Sequence, residues 1–528
     1  SIEKVAVIGS GIMGSRIACH MANIGLDVLL LDIAPFKLNE AEEKAGLTLE
    51  NPKVKNRIVK DALKATLKSK PASLYKKDFI SRIKTGNLTD DIEKISDADW
   101  IIEVVVERLD IKKQVFEKVE QFRKSESIIS SNTSGIPIHM MLEERSEDFK
   151  TNFLGTHFFN PPRYLELLEI IPTPHTNPKL VEFLMEFGDR YLGKTTVLCK
   201  DTPAFIANRV GVGGILSLFH LVEKRGLSVE AIDKLTGPII GRPKSATFRT
   251  CDVVGLDTLV HVANGLYENC KNDEARASFK LPKYVEKLFE NKWLGDKTKQ
   301  GFYKKTKDEK GKKVILSLDL KNFEYKTPDR VKFISLAQAK EIDDLRKRIK
   351  FLYHSKDEAG EFYREMFSDI FSYVSHRIPE ISDETYRIDQ AMKAGFGWEL
   401  GPFEIWDAIG AQAAYDKAIE LRRDIAPWVK EMLDQGTSSF YQVEVDSMNY
   451  FDKEEKQYKA LPNQEALIDL YVRKKANTIW KSDVASLIDL GDDVVNLEFH
   501  SKMNAVGGDT LQAIQHAIDL TEDNYKGL

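Results

Sequence analysis

A doubly wound α/β domain followed by helical repeats is the architecture this sequence predicts. Three observations carry it. The first is alternation: apolar runs at 5–8, 28–31, 100–106, 127–130, 152–159, 164–171 and 195–199 are separated by stretches of helical period, the pattern of a parallel sheet covered on both faces. The second is a fade of strand signals after Asp201-Thr202-Pro203, where periods near 3.6 take over. The third is an internal repeat. Phe248-Arg249-Thr250-Cys251-Asp252-Val253-Val254-Gly255 recurs as Phe403-Glu404-Ile405-Trp406-Asp407-Ala408-Ile409-Gly410, an offset of 155 (Phe248 to Phe403). Each copy follows an Ile-Asp pair, Ile232-Asp233 and Ile388-Asp389.

The first βα turn is the most informative local feature. Gly9-Ser10-Gly11-Ile12-Met13-Gly14 joins the run Val5-Ala6-Val7-Ile8 to an Ala-containing amphipathic stretch. Glycines at that spacing let the backbone turn tightly and approach a pyrophosphate, whose charge then lies at a helix N-terminus. Asp32 closes the second run, Val28-Leu29-Leu30-Leu31. An acid there accepts hydrogen bonds from an adenosine ribose and repels a 2′-phosphate, so the expected cofactor is NAD rather than NADP. This is the Rossmann pattern, with Gly9, Gly11, Ile12, Met13, Gly14 and Asp32 as cofactor contacts.

At 528 residues the chain is too long for one core. The expected order is an NAD-binding domain over 1–200, a first helical domain over 201–305, a charged connector over 306–357, a second helical copy over 358–480 and a short tail over 481–528. The two copies should pack as a pseudo-dimer, with Trp398, Phe403, Trp406 and Ile409 of the second lying on the first. With 42% hydrophobic and 30% charged residues and a net charge of −5, nothing points to nucleic acid. Lysines crowd residues 53–84, which reads as a solvated helical face or a cationic patch for a phosphorylated substrate. Cys19, Cys199, Cys251 and Cys270 lack metal-ligand spacing and read as reduced, buried thiols of a cytosolic protein; no metal is expected. No apolar run of membrane-spanning length and no signal peptide is evident, so a cytoplasmic location is the expectation.

The chemistry-bearing residues cluster after the third strand run. Ser130-Ser131-Asn132-Thr133-Ser134-Gly135 forms a polar loop at a strand's carboxyl end, where ligands bind in open α/β sheets. Gly155-Thr156-His157-Phe158-Phe159-Asn160-Pro161-Pro162 ends the next strand in a histidine, and Glu169 lies inside the apolar run that follows. A carboxylate in such a run needs a partner, and a His157–Glu169 pair would satisfy it while fixing the imidazole tautomer.

These motifs, with Leu167-Leu168-Glu169 and the segment Asp201-Thr202-Pro203 through Phe205 to Asn208-Arg209, resemble the L-3-hydroxyacyl-CoA dehydrogenase family of fatty-acid β-oxidation. The resemblance covers residues 1 to about 305. The second copy is similar to that family's duplicated C-terminal domain in bifunctional bacterial enzymes. The tail, with Leu497-Glu498-Phe499-His500 and Asn504-Ala505, resembles the start of an enoyl-CoA hydratase (crotonase) domain.

The resemblance implies His157 as general base, Glu169 as its orienting partner, and Ser134 and Asn208 placing the substrate oxygen. It further implies NAD contacts from Glu107, Lys112, Ser134, Asn160 and Lys297, an acyl-CoA substrate, and room for a homo-oligomer or a thiolase partner. The rival is a non-catalytic NAD- or CoA-binding part of a larger complex, which has no need of all four catalytic candidates. Three positions depart from the family pattern: Ala204, Ala246 and Lys299 replace glycines, with Thr247 replacing a proline beside the second. The crotonase resemblance stops before that family's oxyanion hole and acid/base carboxylates, so no hydratase activity is expected of these residues, and the tail is expected to be poorly ordered or to lean on a neighbour.

Overall fold

A computed structural model describes residues 1–464 and 467–528. Two compact units emerge. One comprises residues 1–331 with 376–383 and 387–401, the other 332–375, 384–386 and 402–528.

The first unit is built on an eight-stranded sheet. In chain order its elements are β1 (Lys4–Ile8), α1 (Ile12–Asn23), β2 (Asp27–Asp32), α2 (Arg57–Lys68), β3 (Ile83–Asn87), β4 (Trp100–Glu103), α3 (Leu109–Phe122), β5 (Ile128–Ser131), β6 (Phe153–Phe158), β7 (Leu167–Pro172), α4 (Pro178–Arg190) and β8 (Thr195–Leu198). The strand order is β3-β2-β1-β4-β5-β6-β7-β8. Strands β1 to β6 run parallel to one another, and the order reverses beside β1, where a doubly wound sheet opens its ligand crevice.

Two features differ from expectation. The lysine-rich excursion ends in an additional strand, β3, paired with β2. And β7 runs antiparallel to β6, so the sheet is mixed, not wholly parallel. Burial on both faces makes a strand apolar whichever way it runs, so hydrophobic pattern alone carries no direction. The core beneath the sheet holds Val5, Val7, Leu30, Trp100, Ile102 and Leu154, with the Trp100 indole donating to Ser130 Oγ at 2.9 Å.

The helical part of this unit begins with α5 (Ala207–Arg225), which ends at Gly226 in the left-handed conformation (φ 65°), followed by α6 (Phe248–Val254) and α7 (Leu256–Asn269). The stretch expected as a connector is instead structured. Within the first unit β9 (Tyr303–Lys307), β10 (Lys313–Leu318) and β11 (Tyr325–Lys326) form an antiparallel meander. Asp252, from the repeated motif, accepts the Phe302 and Tyr303 N–H groups at 2.9 and 2.8 Å and so fixes where that meander starts.

The second unit contains α8 (Glu358–His376), the start of α9 (Thr385–Phe396), α10 (Pro402–Ile409) and a second meander of β12 (Tyr441–Val443), β13 (Met448–Asp452) and β14 (Gln457–Ala460). Here Asp407 accepts from Phe440 and Tyr441 N–H at 2.8 and 2.9 Å, repeating the Asp252 arrangement. Phe403, Trp406 and Ile409, expected to face the first copy, are buried. Trp406 stacks on Phe371 at 4.6 Å and both Phe403 and Trp406 meet Phe440, which buries them inside their own unit. Trp398 belongs to the first unit, where the Arg242 guanidinium lies 3.9 Å over its ring.

The tail also departs from expectation. It holds a hairpin of β16 (Ala485–Gly491) and β17 (Val494–Phe499), to which β15 (Thr478–Lys481) adds a third strand, and α11 (Gly508–Asn524) closes over the sheet. Leu487, Val495 and Ala517 form a small core there, so the tail closes on itself. All four cysteines are free and buried. No helix among the described residues is long and apolar enough to cross a membrane.

Candidate active site

The glycine-rich turn has the geometry its sequence requires. Gly9 has φ 105°, and a Cβ there would lie 2.4 Å from the Val104 carbonyl oxygen. A Cβ on Gly14 would fall on the Gly9 carbonyl, so close packing of α1 against the turn admits only glycine. Gly11 has open space where its Cβ would stand, which leaves the N-terminus of α1 accessible to a pyrophosphate. Ile12 is exposed and Met13 half-buried at that helix start. Asp32 ends β2 facing the turn. Its Oδ2 accepts from Ser10 N–H at 2.8 Å and from the Ser10 hydroxyl, and its Oδ1 from Ile33 N–H at 2.7 Å. The turn, the open helix start and the acid at the end of β2 fit a dinucleotide without a 2′-phosphate.

The β6–β7 hairpin creates the second half of the site. In its antiparallel register His157 stands directly opposite Glu169, and His157 Nδ1 lies 2.8 Å from Glu169 Oε1. Sequence spacing suggested this pair, and the unexpected antiparallel pairing is what makes it. Glu169 is fully buried, and its second oxygen accepts the Ile206 and Ala207 N–H groups at 3.0 and 3.1 Å, at the start of α5. One carboxylate therefore fixes the imidazole and the helix start that carries half-buried Asn208. The His157 ring packs against Phe159 and Phe205, with centroids 4.5 and 5.7 Å away.

Ser134 lies on the loop after β5, braced from below by Glu107. The Glu107 carboxylate accepts the Ser134 and Gly135 N–H groups at 3.1 and 3.2 Å and the Thr133 hydroxyl. Lys112 differs from a direct cofactor contact. Its side chain is 1% exposed, and its ammonium is enclosed by Glu103 at 2.7 Å, Glu107 at 3.4 Å and the Val105 carbonyl. It acts on the loop through Glu107. Glu103 also accepts from the Ser131 hydroxyl at 2.5 Å, completing a buried network that sequence reading missed, because a lysine and a strand-end glutamate ordinarily read as surface. Asn160 is exposed and accepts from Arg16 of α1 at 2.5 Å, linking the loop after His157 to the glycine-turn helix. Lys297 sits in the helical part of the unit, paired with Asp257 at the start of α7, and that pairing accounts for it structurally.

The three positions at which the family pattern has glycine share one backbone conformation. Ala204, Ala246 and Lys299 have φ of 60°, 48° and 63°, in the left-handed region that glycine enters without strain.

Comparison with known proteins agrees with this geometry. Residues 4–202 match the NAD binding domain of 3-hydroxyacyl-CoA dehydrogenase, and residues 205–305 match its C-terminal domain. A probable 3-hydroxyacyl-CoA dehydrogenase of Bacillus subtilis is 49% identical over the whole chain, which spans 66% of that relative's length. Another, of Deinococcus radiodurans, is 46% identical over 59% of this chain and 85% of its own length. The crystal structure of 3-hydroxybutyryl-CoA dehydrogenase from Escherichia coli shares the fold at 20% identity, with a TM-score of 0.57 over 83% of this chain and 99% of that one. The chain belongs to the 3-hydroxyacyl-CoA dehydrogenase family.

Proposed function

We propose that this protein oxidises L-3-hydroxyacyl-CoA to 3-ketoacyl-CoA with NAD, in fatty-acid oxidation. The observation that carries the proposal is the buried His157–Glu169 pair, tied through Ile206 and Ala207 to the helix bearing Asn208. With Nδ1 bonded to Glu169, Nε2 is the nitrogen left to receive a proton. The substrate's C3 hydroxyl gives its proton to Nε2 as the C3 hydride departs. Glu169 stabilises the imidazolium that results, and its buried setting strengthens that attraction. Ser134 and Asn208 donate to the C3 oxygen and hold it in line. Bound at Gly9–Gly14 and Asp32, NAD supplies the hydride acceptor. Division of labour follows the domain order: sheet domain to about 200 for the cofactor, first helical copy to 305 for Asn208, second copy over 358–480 as scaffold.

The test is oxidation of NADH in the presence of acetoacetyl-CoA and, in parallel, of a longer 3-ketoacyl-CoA. Turnover with either, and a kcat/KM for NADH well above that for NADPH, is the expected result. No turnover with any 3-ketoacyl-CoA would refute the proposal.

A further inference from the structure

The Glu169 carboxylate has one more neighbour than the mechanism uses. Cys199, just beyond β8, places its Sγ 3.4 Å from Glu169 Oε2, the oxygen that already accepts the Ile206 and Ala207 N–H groups. A carboxylate offers about four acceptor positions. His157 takes one on Oε1, and the two amides and the thiol crowd Oε2, in a place where both Glu169 and Cys199 are buried from water. The other acceptor within reach of the thiol, the Val197 carbonyl at 3.5 Å, is neutral and slightly farther.

We infer that Cys199 is a positioning residue of the dehydrogenase reaction: its S–H donates to Glu169, completes the carboxylate's set of donors and sets how strongly Glu169 holds a proton on His157. The charged groups facing the thiol are Glu169 from β7 and Arg387 from α9, with His157 of β6 on the carboxylate's other oxygen. Burial and the Glu169 charge push the thiol well above its ordinary value, so it remains a donor across the working pH range. A thiol is a weak donor. Removing it makes the carboxylate a better partner for an imidazolium, and replacing it with a stronger donor makes the carboxylate a poorer one. The two changes therefore act with opposite sign, which a packing role alone does not produce.

The inference rests on the proposed reaction for its meaning but is read without it. In protein labelled at histidine Cε1, the His157 resonance is identified by its loss in His157→Gln, and its titration midpoint is followed by NMR in the free enzyme. Cys199→Ala is expected to raise the midpoint by about half a pH unit and Cys199→Ser to lower it by a similar amount. The pH profile of kcat/KM for 3-hydroxyacyl-CoA oxidation should move in the same two directions. Midpoints that stay put, or that move the same way in both variants, overturn the inference. If one variant fails to fold, a midpoint in the other that is unmoved or moved against the stated sign overturns it equally. Variants whose His157 midpoints move as stated, beside a wild type that turns over no 3-hydroxyacyl-CoA, would overturn the dehydrogenase reading and leave the coupling in place.

Discussion

In the first helical copy Asp252 receives two backbone N–H groups at the start of a three-stranded meander, and in the second copy Asp407 does the same. The surroundings differ. The first copy opens with α5, whose first turn is held by Glu169, the partner of His157, and carries Asn208. At the repeat's offset Asn208 corresponds to Tyr363, which is fully buried and begins a file of rings, Tyr363, Phe367, Phe371 and Trp406, at successive spacings of 5.9, 6.0 and 4.6 Å. Duplication thus kept the backbone anchor and replaced a polar, half-exposed position with aromatic core. The aspartate common to both copies anchors a meander in each, and the residues to which the proposed reaction assigns chemistry occur in the first copy only.

The largest contrast is kinetic. His157→Gln removes the base, so kcat should fall on the order of 10²–10⁴-fold while NAD affinity stays within about twofold. Trp406→Phe in the second copy should lower the midpoint of thermal unfolding and leave kcat unchanged. Steady-state kinetics beside a dinucleotide titration checks both, and comparable kcat losses would erase the distinction between the copies.

Next in size is cofactor choice. Asp32→Ser removes the charge that would oppose a 2′-phosphate, so the preference for NAD over NADP in kcat/KM should narrow by about tenfold or more. A preference that survives intact would place the discrimination elsewhere on the turn.

The shared aspartates predict a pH effect on stability. Burial pushes the Asp252 and Asp407 carboxyls up to about 7 from the ordinary 3.8. The folded chain then binds these protons more tightly than the unfolded chain. The resulting stability is full below about pH 4 and is lost as pH rises through 7. Unfolding midpoints should be lower at pH 8 than at pH 5.5, and Asp407→Asn should flatten that dependence. A midpoint that rises steadily over the interval would show that both groups remain charged in the fold.

Much of the cofactor half of the site was legible because its signals are local. Glycine spacing and the acid closing β2 are set by backbone geometry within a few dozen residues. The His157–Glu169 pair was legible for a different reason: a carboxylate in an apolar run demands a partner, and the histidine that ends the preceding strand run meets it. What failed to show was non-local or masked by lysine. β3 is an edge strand carrying Lys84 and Gly86, and β9 reads Tyr303-Lys304-Lys305-Thr306-Lys307, so both look like solvated coil. Burial of Lys112 depends on Glu103 and Glu107 meeting it across a strand end, and the Glu169 bonds to Ile206 and Ala207 depend on where α5 docks. No local pattern encodes either.

The smallest effect concerns the first copy's left-handed residues. Lys299 is exposed with φ 63°, so Lys299→Gly should raise stability by about 0.5–1 kcal/mol in chemical denaturation. Ala204→Gly should gain less, because it also gives up a buried methyl group. Loss of stability in Lys299→Gly would contradict the strain assigned to that position.

The claim that chemistry resides in the first copy alone is tested most directly by kcat for 3-hydroxyacyl-CoA oxidation in Asn208→Ala and Tyr363→Phe, measured against wild type. The account predicts at least about a tenfold loss in Asn208→Ala, where an oxygen-holding donor is removed, and wild-type turnover in folded Tyr363→Phe. Wild-type turnover in Asn208→Ala, or an equal loss in Tyr363→Phe, would contradict it.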